Sequence, residues 1–122
     1  MAKILIIEDD QLLVKVYRTN FEVMGYQVDI AGDGEEGMVK IRTGGYGAIL
    51  LDLKLPKLSG LQVLSLIKNE NLKSRNGPVL VLSNVDDEKT IKEITNLGAA
   101  GYLLKSKVTP QSIVEEVGKY LS

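Results

Sequence analysis

Acidic, hydroxyl and ammonium side chains follow the apolar runs of this 122-residue chain in a pattern that suits phosphoryl chemistry. Glu8 and Asp9 follow the first apolar run, and Asp52 follows a later one. Ser83 and Lys105 end two further runs. Such a set offers a carboxylate nucleophile in Asp52, a cation site on the acidic pair, and a hydroxyl and an ammonium group for phosphoryl oxygens.

The residue types that the sequence lacks narrow this chemistry further. The chain has no Cys and no His, which excludes a disulfide, a thiolate nucleophile, an imidazole metal ligand and a Ser-His triad. Any metal site must therefore be built from oxygen ligands, which favours a hard cation such as Mg²⁺. Clustered carboxylates without a cation repel one another and raise one another's pKa values, and a bound Mg²⁺ removes that conflict.

Composition points to one globular domain. The chain has 15 Lys and Arg against 16 Asp and Glu, a net charge of −1, with 44% hydrophobic and 25% charged residues. That balance gives no basic surface for nucleic acid or anionic lipid. The first apolar run, residues 4–7, is too short for a signal peptide or a membrane span. We therefore expect a single cytoplasmic domain over residues 1–122, without a nucleic acid or membrane partner.

Apolar runs of strand length alternate with segments of helical period, which predicts five β-α units. Strands are expected at residues 3–8, 26–31, 47–52, 78–83 and 100–105. Helices are expected at residues 11–24, from the cap Asp33 to Gly44-Gly45, from Ser59 to about residue 71, at residues 86–97, and from the cap Thr109 to residue 121. No long linker or repeat interrupts the series.

This alternation is typical of an α/β fold with a parallel sheet and helices on both faces. Five units are too few for a closed eight-stranded barrel, so a doubly wound open sheet is left, most simply in the strand order 2-1-3-4-5. Such sheets bind ligands beyond the carboxyl ends of the strands, where the strand order reverses. That point lies between strands 1 and 3, where Glu8, Asp9 and Asp52 meet.

Taken singly, each of these residues has an ordinary structural explanation. Asp10 is a plausible helix N-cap, Ser83 a turn residue and Lys105 a solvated strand end. Caps and solvated charges also account for Asp33, Asp86 and Asp87 and for the charged residues of 89–93. The cap explanation requires neither Ser83 nor Lys105, however, so four strand ends with complementary groups favour a joint site.

Four motifs in order along the chain match one protein family. They are IIEDD at residues 6–10, LDLKLP at 51–56 followed by Ser59-Gly60, VLS at 81–83 and GAAGYLLK at 98–105. Together they resemble the receiver domain of bacterial two-component response regulators, and the resemblance covers the whole chain. It implies a (βα)5 flavodoxin-like fold of five parallel strands.

The resemblance implies a role for each acidic residue. Asp52 corresponds to the aspartate that accepts a phosphoryl group. Asp9 corresponds to a direct Mg²⁺ ligand, and Glu8 to the acidic partner that acts through a metal-bound water. The backbone carbonyl of Lys54 would be a further ligand of the metal.

The resemblance also assigns the groups that respond to the phosphoryl group. Ser83 occupies the Thr/Ser position that bonds to it, and Lys105 is the lysine that pairs with it. Tyr102 stands at the aromatic switch position, whose ring moves inward when Ser83 is drawn to the phosphoryl group. The family usually has Pro after the lysine and a small residue after the Thr/Ser, where this chain has Ser106 and Asn84. A cis bond before Ser106 would cost about 2.5–4 kcal/mol, so we expect a trans bond there.

The function implied by this resemblance is a phosphorylation-activated signalling switch, not an enzyme beyond its own phosphorylation and dephosphorylation. The donor would be a phosphohistidine on a histidine kinase or a histidine phosphotransfer protein, since this chain has no His. The face formed by helix 4, strand 5 and helix 5 would then change its affinity for a downstream protein. We expect a single receiver domain without an output domain, or a receiver cut from a longer regulator, as a monomer or a phosphorylation-dependent dimer.

Three other functions fit parts of the pattern. A phosphatase that works through a phosphoaspartate needs a second acid two residues after the nucleophile, where this chain has Lys54. A receiver-like binding module that has lost phosphorylation would lack the acceptor, the acidic pair or the lysine. A flavin-binding protein would need hydroxyls and glycines at residues 8–11, which are mostly acidic here.

Overall fold

The strands form one parallel five-stranded sheet in the order β2-β1-β3-β4-β5. This is seen in the computed structural model, which describes residues 2–121. The doubly wound fold and its strand order are therefore confirmed. The strands are β1 (Lys3–Ile7), β2 (Gln27–Ala31), β3 (Ala48–Leu51), β4 (Val79–Ser83) and β5 (Gly101–Leu104).

One helix follows each strand. The helices are α1 (Gln11–Val23), α2 (Gly34–Thr43), α3 (Gly60–Asn69), α4 (Glu88–Asn96) and α5 (Pro110–Gly118). Short 3₁₀ turns at Lys73–Arg75 and Lys105–Lys107 were not predicted. Within residues 2–121, no helix has the length and apolar character that a membrane crossing requires.

The central strands are buried on both faces, as their uninterrupted apolar runs predict. Alternate residues of β1 enter two separate cores. Leu5 and Ile7 pack in the core beneath α2, α3 and α4, whereas Ile4 and Ile6 pack in the core beneath α1 and α5. The helices thus cover both faces of the sheet and leave the ends of the strands accessible.

Side-chain caps begin all five helices, which confirms the predicted starts except that of α4, which begins two residues later than predicted. The N-caps that accept backbone N–H bonds are Asp10, Asp33, Ser59, Asp87 and Thr109. Asp86 is exposed and lies one residue before the cap of α4. The structural explanation given to Asp10, Asp33 and Asp87 is therefore confirmed.

The predicted end of α5 is wrong, whereas the predicted trans bond between Lys105 and Ser106 is confirmed. Helix α5 was predicted to reach residue 121, but it ends at Gly118. The chain continues in turns in which Tyr120 N–H donates to Val117 and Leu121 N–H to Gly118, because glycine favours the helix poorly. The trans Lys105–Ser106 bond is as expected, since no peptide among the described residues is cis.

Candidate functional site

The carboxyl ends of β1 and β3 place two acidic side chains next to each other. Ile7 pairs with Leu51, so the residues that follow them, Glu8 and Asp52, leave neighbouring strands at the same level. The Asp52 N–H donates to the Ile7 carbonyl at 3.1 Å and the Glu8 N–H to Ala31 at 3.0 Å. Both acidic residues therefore start from backbone that the sheet holds rigidly.

Glu8, Asp9 and Asp52 form a compact carboxylate cluster. One oxygen from each lies within 4.8 Å of the others. Glu8 and Asp52 are only 3% and 7% exposed, whereas Asp9 is exposed to solvent. The structure thus brings together the three acidic residues that the sequence predicted to share one site.

Lys105 places an ammonium group inside this cluster. Its Nζ donates to Glu8 Oε1 at 2.7 Å and to Asp52 Oδ2 at 3.2 Å. Burial lowers the pKa of Lys105, but the hydrogen bond to Glu8 and the charge of Asp52 outweigh burial, so the net pKa lies above its ordinary value. Lys105 is therefore a permanent positive charge of the site near neutral pH.

Burial strongly perturbs the carboxyl group of Glu8. Burial raises the pKa of Glu8 to about 7, against the opposing hydrogen bond from Lys105, and the charge of Asp52 raises it further. Its second oxygen, Oε2, accepts the Asp10 N–H at 3.2 Å. Both oxygens of the Glu8 carboxylate therefore accept a hydrogen bond, which fixes its orientation.

The donor set fits a divalent hard cation. The cluster holds three carboxylates and one ammonium group, which contacts Glu8 and Asp52, so two negative charges stay uncompensated when all three acids are ionised. The ligand atoms are all oxygens, and Asp9 leaves one side of the cluster open to solvent. Mg²⁺ prefers this combination of few carboxylates and an open side for water or phosphate oxygens.

The loop after β3 is held in place on both sides of Asp52. Lys54 donates its backbone N–H to Asp52 Oδ1 at 3.4 Å. Gly60 begins α3 directly against this loop, and its N–H donates to the Leu53 carbonyl at 2.8 Å. A Cβ on Gly60 would meet the Asp52 carbonyl and would lie 2.6 Å from the Leu53 Cα. Only glycine therefore allows this close approach.

Ser83 ends β4, and Tyr102 lies on the neighbouring strand β5, where it pairs with Val81. Ser83 is buried, and its Oγ accepts the Val85 N–H at 3.2 Å, which leaves its own proton free to donate. The Tyr102 ring packs on the core beneath α2, α3 and α4. Its hydroxyl is shielded from solvent and has no hydrogen-bond partner within residues 2–121.

Tyr17 lies directly behind the site, although none of the four sequence motifs includes it. Tyr17 is buried on α1, and its side chain lies beside Glu8 and Asp52. Burial raises the pKa of its hydroxyl, and the charge of Lys105 opposes that effect. The helical spacing of Leu13, Tyr17 and Phe21 would have indicated a core-facing stripe.

A family model described as "Response regulator receiver domain" matches residues 4–117 of the chain. Among curated proteins, the transcriptional regulatory protein CrdR of Helicobacter pylori is 35% identical over 103 residues. The match covers 84% of this chain and 47% of CrdR. The chain spans about half the length of the curated relatives that it matches. The expectation of a single domain without an output domain stays a prediction.

Solved structures show the same fold. The receiver domain of the Francisella response regulator 1452 has a TM-score of 0.90 and 27% identity, covering 99% of this chain and 97% of that chain. The response regulator TrrA of Thermotoga maritima has a TM-score of 0.82 and 26% identity, covering 99% of this chain and 100% of that chain. The TrrA structure is described as a complex with Mg²⁺-BeF.

Proposed function

This chain belongs to the response regulator receiver domain family, and we propose that it is a phosphorylation-activated switch whose phosphoryl acceptor is Asp52. Proteins of this family act in two-component signalling and are not classical enzymes. One observation carries the proposal: the Lys105 ammonium group bridges the carboxylate of Asp52 and that of a second buried acid, Glu8. That combination suits a nucleophilic carboxylate whose phosphorylated product is an acyl phosphate.

Phosphoryl transfer is a displacement at phosphorus. A carboxylate oxygen of Asp52 attacks the phosphorus of a phosphohistidine, the phosphorus–nitrogen bond breaks, and the bonding pair leaves with the imidazole, which takes up a proton. Lys105, already 3.2 Å from Asp52 Oδ2, stabilises the charge on the phosphoryl oxygens. The donor is external because the chain has no His.

The acidic cluster would hold Mg²⁺ through Asp9 and Asp52, with Glu8 acting through a metal-bound water and the Lys54 carbonyl as a further ligand. Bound Mg²⁺ would neutralise charge on the phosphoryl oxygens. The uncompensated charge and all-oxygen donor set described above support this assignment. The Mg²⁺ in the TrrA complex agrees with it by analogy.

Ser83 and Tyr102 form the switch in this proposal. The free proton of Ser83 donates to a phosphoryl oxygen, which draws the end of β4 toward the site. Tyr102 follows because it pairs with Val81 on the neighbouring strand. The face of α4, β5 and α5 then changes its affinity for a downstream protein.

The same proposal includes three further parts. The donor is a histidine kinase or a histidine phosphotransfer protein, the protein is a monomer or a phosphorylation-dependent dimer, and its location is cytoplasmic.

Intact mass spectrometry tests the acceptor directly. Wild-type protein, Asp52→Asn and the control Asp86→Asn are incubated with a small acyl-phosphate donor and Mg²⁺ under native conditions. Wild type and Asp86→Asn should gain one phosphoryl group, and Asp52→Asn none. EDTA should stop the labelling of wild type. Phosphate retained on Asp52→Asn would reject the acceptor, and labelling that is insensitive to EDTA would reject the metal assignment.

A further inference from the structure

A cavity of about 570 Å³ opens at the end of the sheet opposite the acidic cluster. Its apolar wall includes Ile49, Leu64, Ile67, Leu72, Val79 and Leu97. Val79 begins β4 and Ser83 ends it, so roughly 13 Å of strand separates the cavity from the proposed phosphorylation site. The cavity is thus distinct from the crevice at the carboxyl ends of the strands.

The cavity exists because α3 and α4 diverge at their carboxyl ends. The closely packed helix pairs are α1 with α5 and α2 with α3, whereas α3 and α4 make little contact. Helix α4 contributes only Ile94 to the buried core among its described residues. The 3₁₀ turn Lys73–Arg75 and the turn after α4 close the remaining sides.

The charged residues that line the cavity are all basic. Lys68 and Lys73 line the cavity, and no Asp or Glu in the described part of the chain does so. Lys68 Nζ reaches across to the Asn96 carbonyl at 3.2 Å, and Lys73 Nζ lies 4.0 Å from the position that a Cβ on Gly98 would take. Both ammonium groups therefore stand over the same mouth, on the side where α4 ends.

We propose that this cavity binds an amphiphilic organic anion, with an apolar body against the core residues and a single anionic head group between Lys68 and Lys73. The volume lies within the 300–1,000 Å³ that is typical of small-molecule sites, which are mainly apolar with a few polar groups that orient the ligand. The head group would replace the Asn96 carbonyl as a partner of Lys68. This site is independent of the proposed phosphorylation chemistry.

A helix-capping role for the two lysines is the competing explanation. Lysine side chains often satisfy the last carbonyls of a helix, and Lys68 already does so for α4. That role requires neither an apolar cavity nor a second ammonium group over its mouth. The two explanations differ in whether an anion binds there at all.

Amide chemical shifts of ¹⁵N-labelled protein test the proposal with three probes that share one apolar chain: octanoate, octanol and octylammonium. Octanoate should shift the amides of Gly77, Gly98 and Ala100 in a saturable way and leave Gly25 and Gly32 unchanged. Octanol should bind about tenfold more weakly, and octylammonium should give no saturable shift.

Variants assign the ligand to the cavity. Lys68→Gln/Lys73→Gln should weaken octanoate binding about tenfold and leave octanol binding within twofold. The control Lys89→Gln/Lys92→Gln, which removes the same charge from the exposed face of α4, should bind octanoate like wild type. Ala99→Leu, which fills the cavity, should abolish the shifts, with circular dichroism verifying its fold. Equal affinity for all three probes, or octanoate binding that survives both the lysine and the Ala99 substitutions, would overturn the proposal.

Discussion

The Lys105 ammonium nitrogen lies 2.7 Å from Glu8 Oε1, and this contact joins residues that are 97 positions apart in the sequence. It links the end of β1, in the middle of the sheet, to the end of β5 at its edge. The Lys105 side chain is 17% exposed and that of Glu8 is 4% exposed. The pair therefore occupies a largely desolvated position, where removal of one partner is costly.

Lys105 and Mg²⁺ should compete for the same negative charge. Lys105→Met leaves the acidic cluster without its ammonium group, so we expect the free energy of unfolding in EDTA to fall by about 2–4 kcal/mol. Added MgCl₂ should then stabilise Lys105→Met more than it stabilises wild type, because the cation replaces the missing charge. Urea unfolding with EDTA and with MgCl₂ measures both increments.

The exposed Lys107 offers a matched control for this change, two residues farther along the chain. Lys107→Met should unfold like wild type in EDTA and gain the same increment from MgCl₂. Equal increments in Lys105→Met and wild type would contradict competition for one site.

Glu8 should make the metal-free protein less stable as the pH rises toward neutrality. Its pKa is about 7 in the folded protein against an ordinary value of 4.5. Between these values the folded state keeps a proton that the unfolded chain has lost, so stability falls as the pH rises from about 4.5 to about 7. The linkage amounts to roughly 3 kcal/mol.

Comparison with Glu8→Gln isolates this effect, because glutamine cannot titrate. In urea unfolding in EDTA at intervals from pH 5 to 8, the free energy of unfolding of Glu8→Gln should increase relative to that of wild type as the pH rises. The lowered pKa values of Asp29, Asp33 and Asp87 act only at more acidic pH. Parallel pH profiles for the two proteins would show that Glu8 ionises normally in the folded state.

Tyr102→Phe should stabilise the unphosphorylated protein by about 1 kcal/mol. The Tyr102 hydroxyl is shielded from solvent and has no hydrogen-bond partner among the described residues, so its removal relieves a desolvation cost without breaking a bond. Tyr46→Phe is the matched control, because the Tyr46 hydroxyl donates to Asp29 Oδ2 at 2.7 Å and its loss should destabilise the fold. Urea midpoints that fall for both variants would show that the Tyr102 hydroxyl has a partner in solution.

The sequence did not predict the cavity between α3 and α4, nor the position of Tyr17 behind the acidic cluster. Caps such as Asp33 and Thr109 depend on hydrogen bonds within three residues, so local spacing located them. The convergence of Glu8 and Asp52 followed from strand order alone. The position of Tyr17 behind the site and the divergence of α3 from α4 depend on how helices pack on the sheet, which no local pattern encodes.

The lifetime of phospho-Asp52 should depend on Lys54. Hydrolysis requires a water in line with the bond between phosphorus and the Asp52 oxygen, and by family resemblance residues 54 and 84 flank that approach. Lys54 is exposed, and its backbone N–H already bonds to Asp52 Oδ1, so its side chain starts beside the acceptor. A long cationic side chain there covers the path of the water and favours the phosphorylated ground state.

Lys54→Ala should therefore lose its phosphoryl group faster than wild type at the same Mg²⁺ concentration and pH. The Asn84 amide oxygen could orient an attacking water, whereas the bulk of this side chain beside Ser83 could block its entry. The variant Asn84→Ala therefore measures the contribution of residue 84 separately from that of residue 54. Lys57→Ala, in the same loop, is the control for a change of charge near the site. The decay of the phosphorylated mass is followed over time without a phosphatase. Equal or slower loss in Lys54→Ala would mean that Asn84 or the packing of the loops sets the lifetime instead.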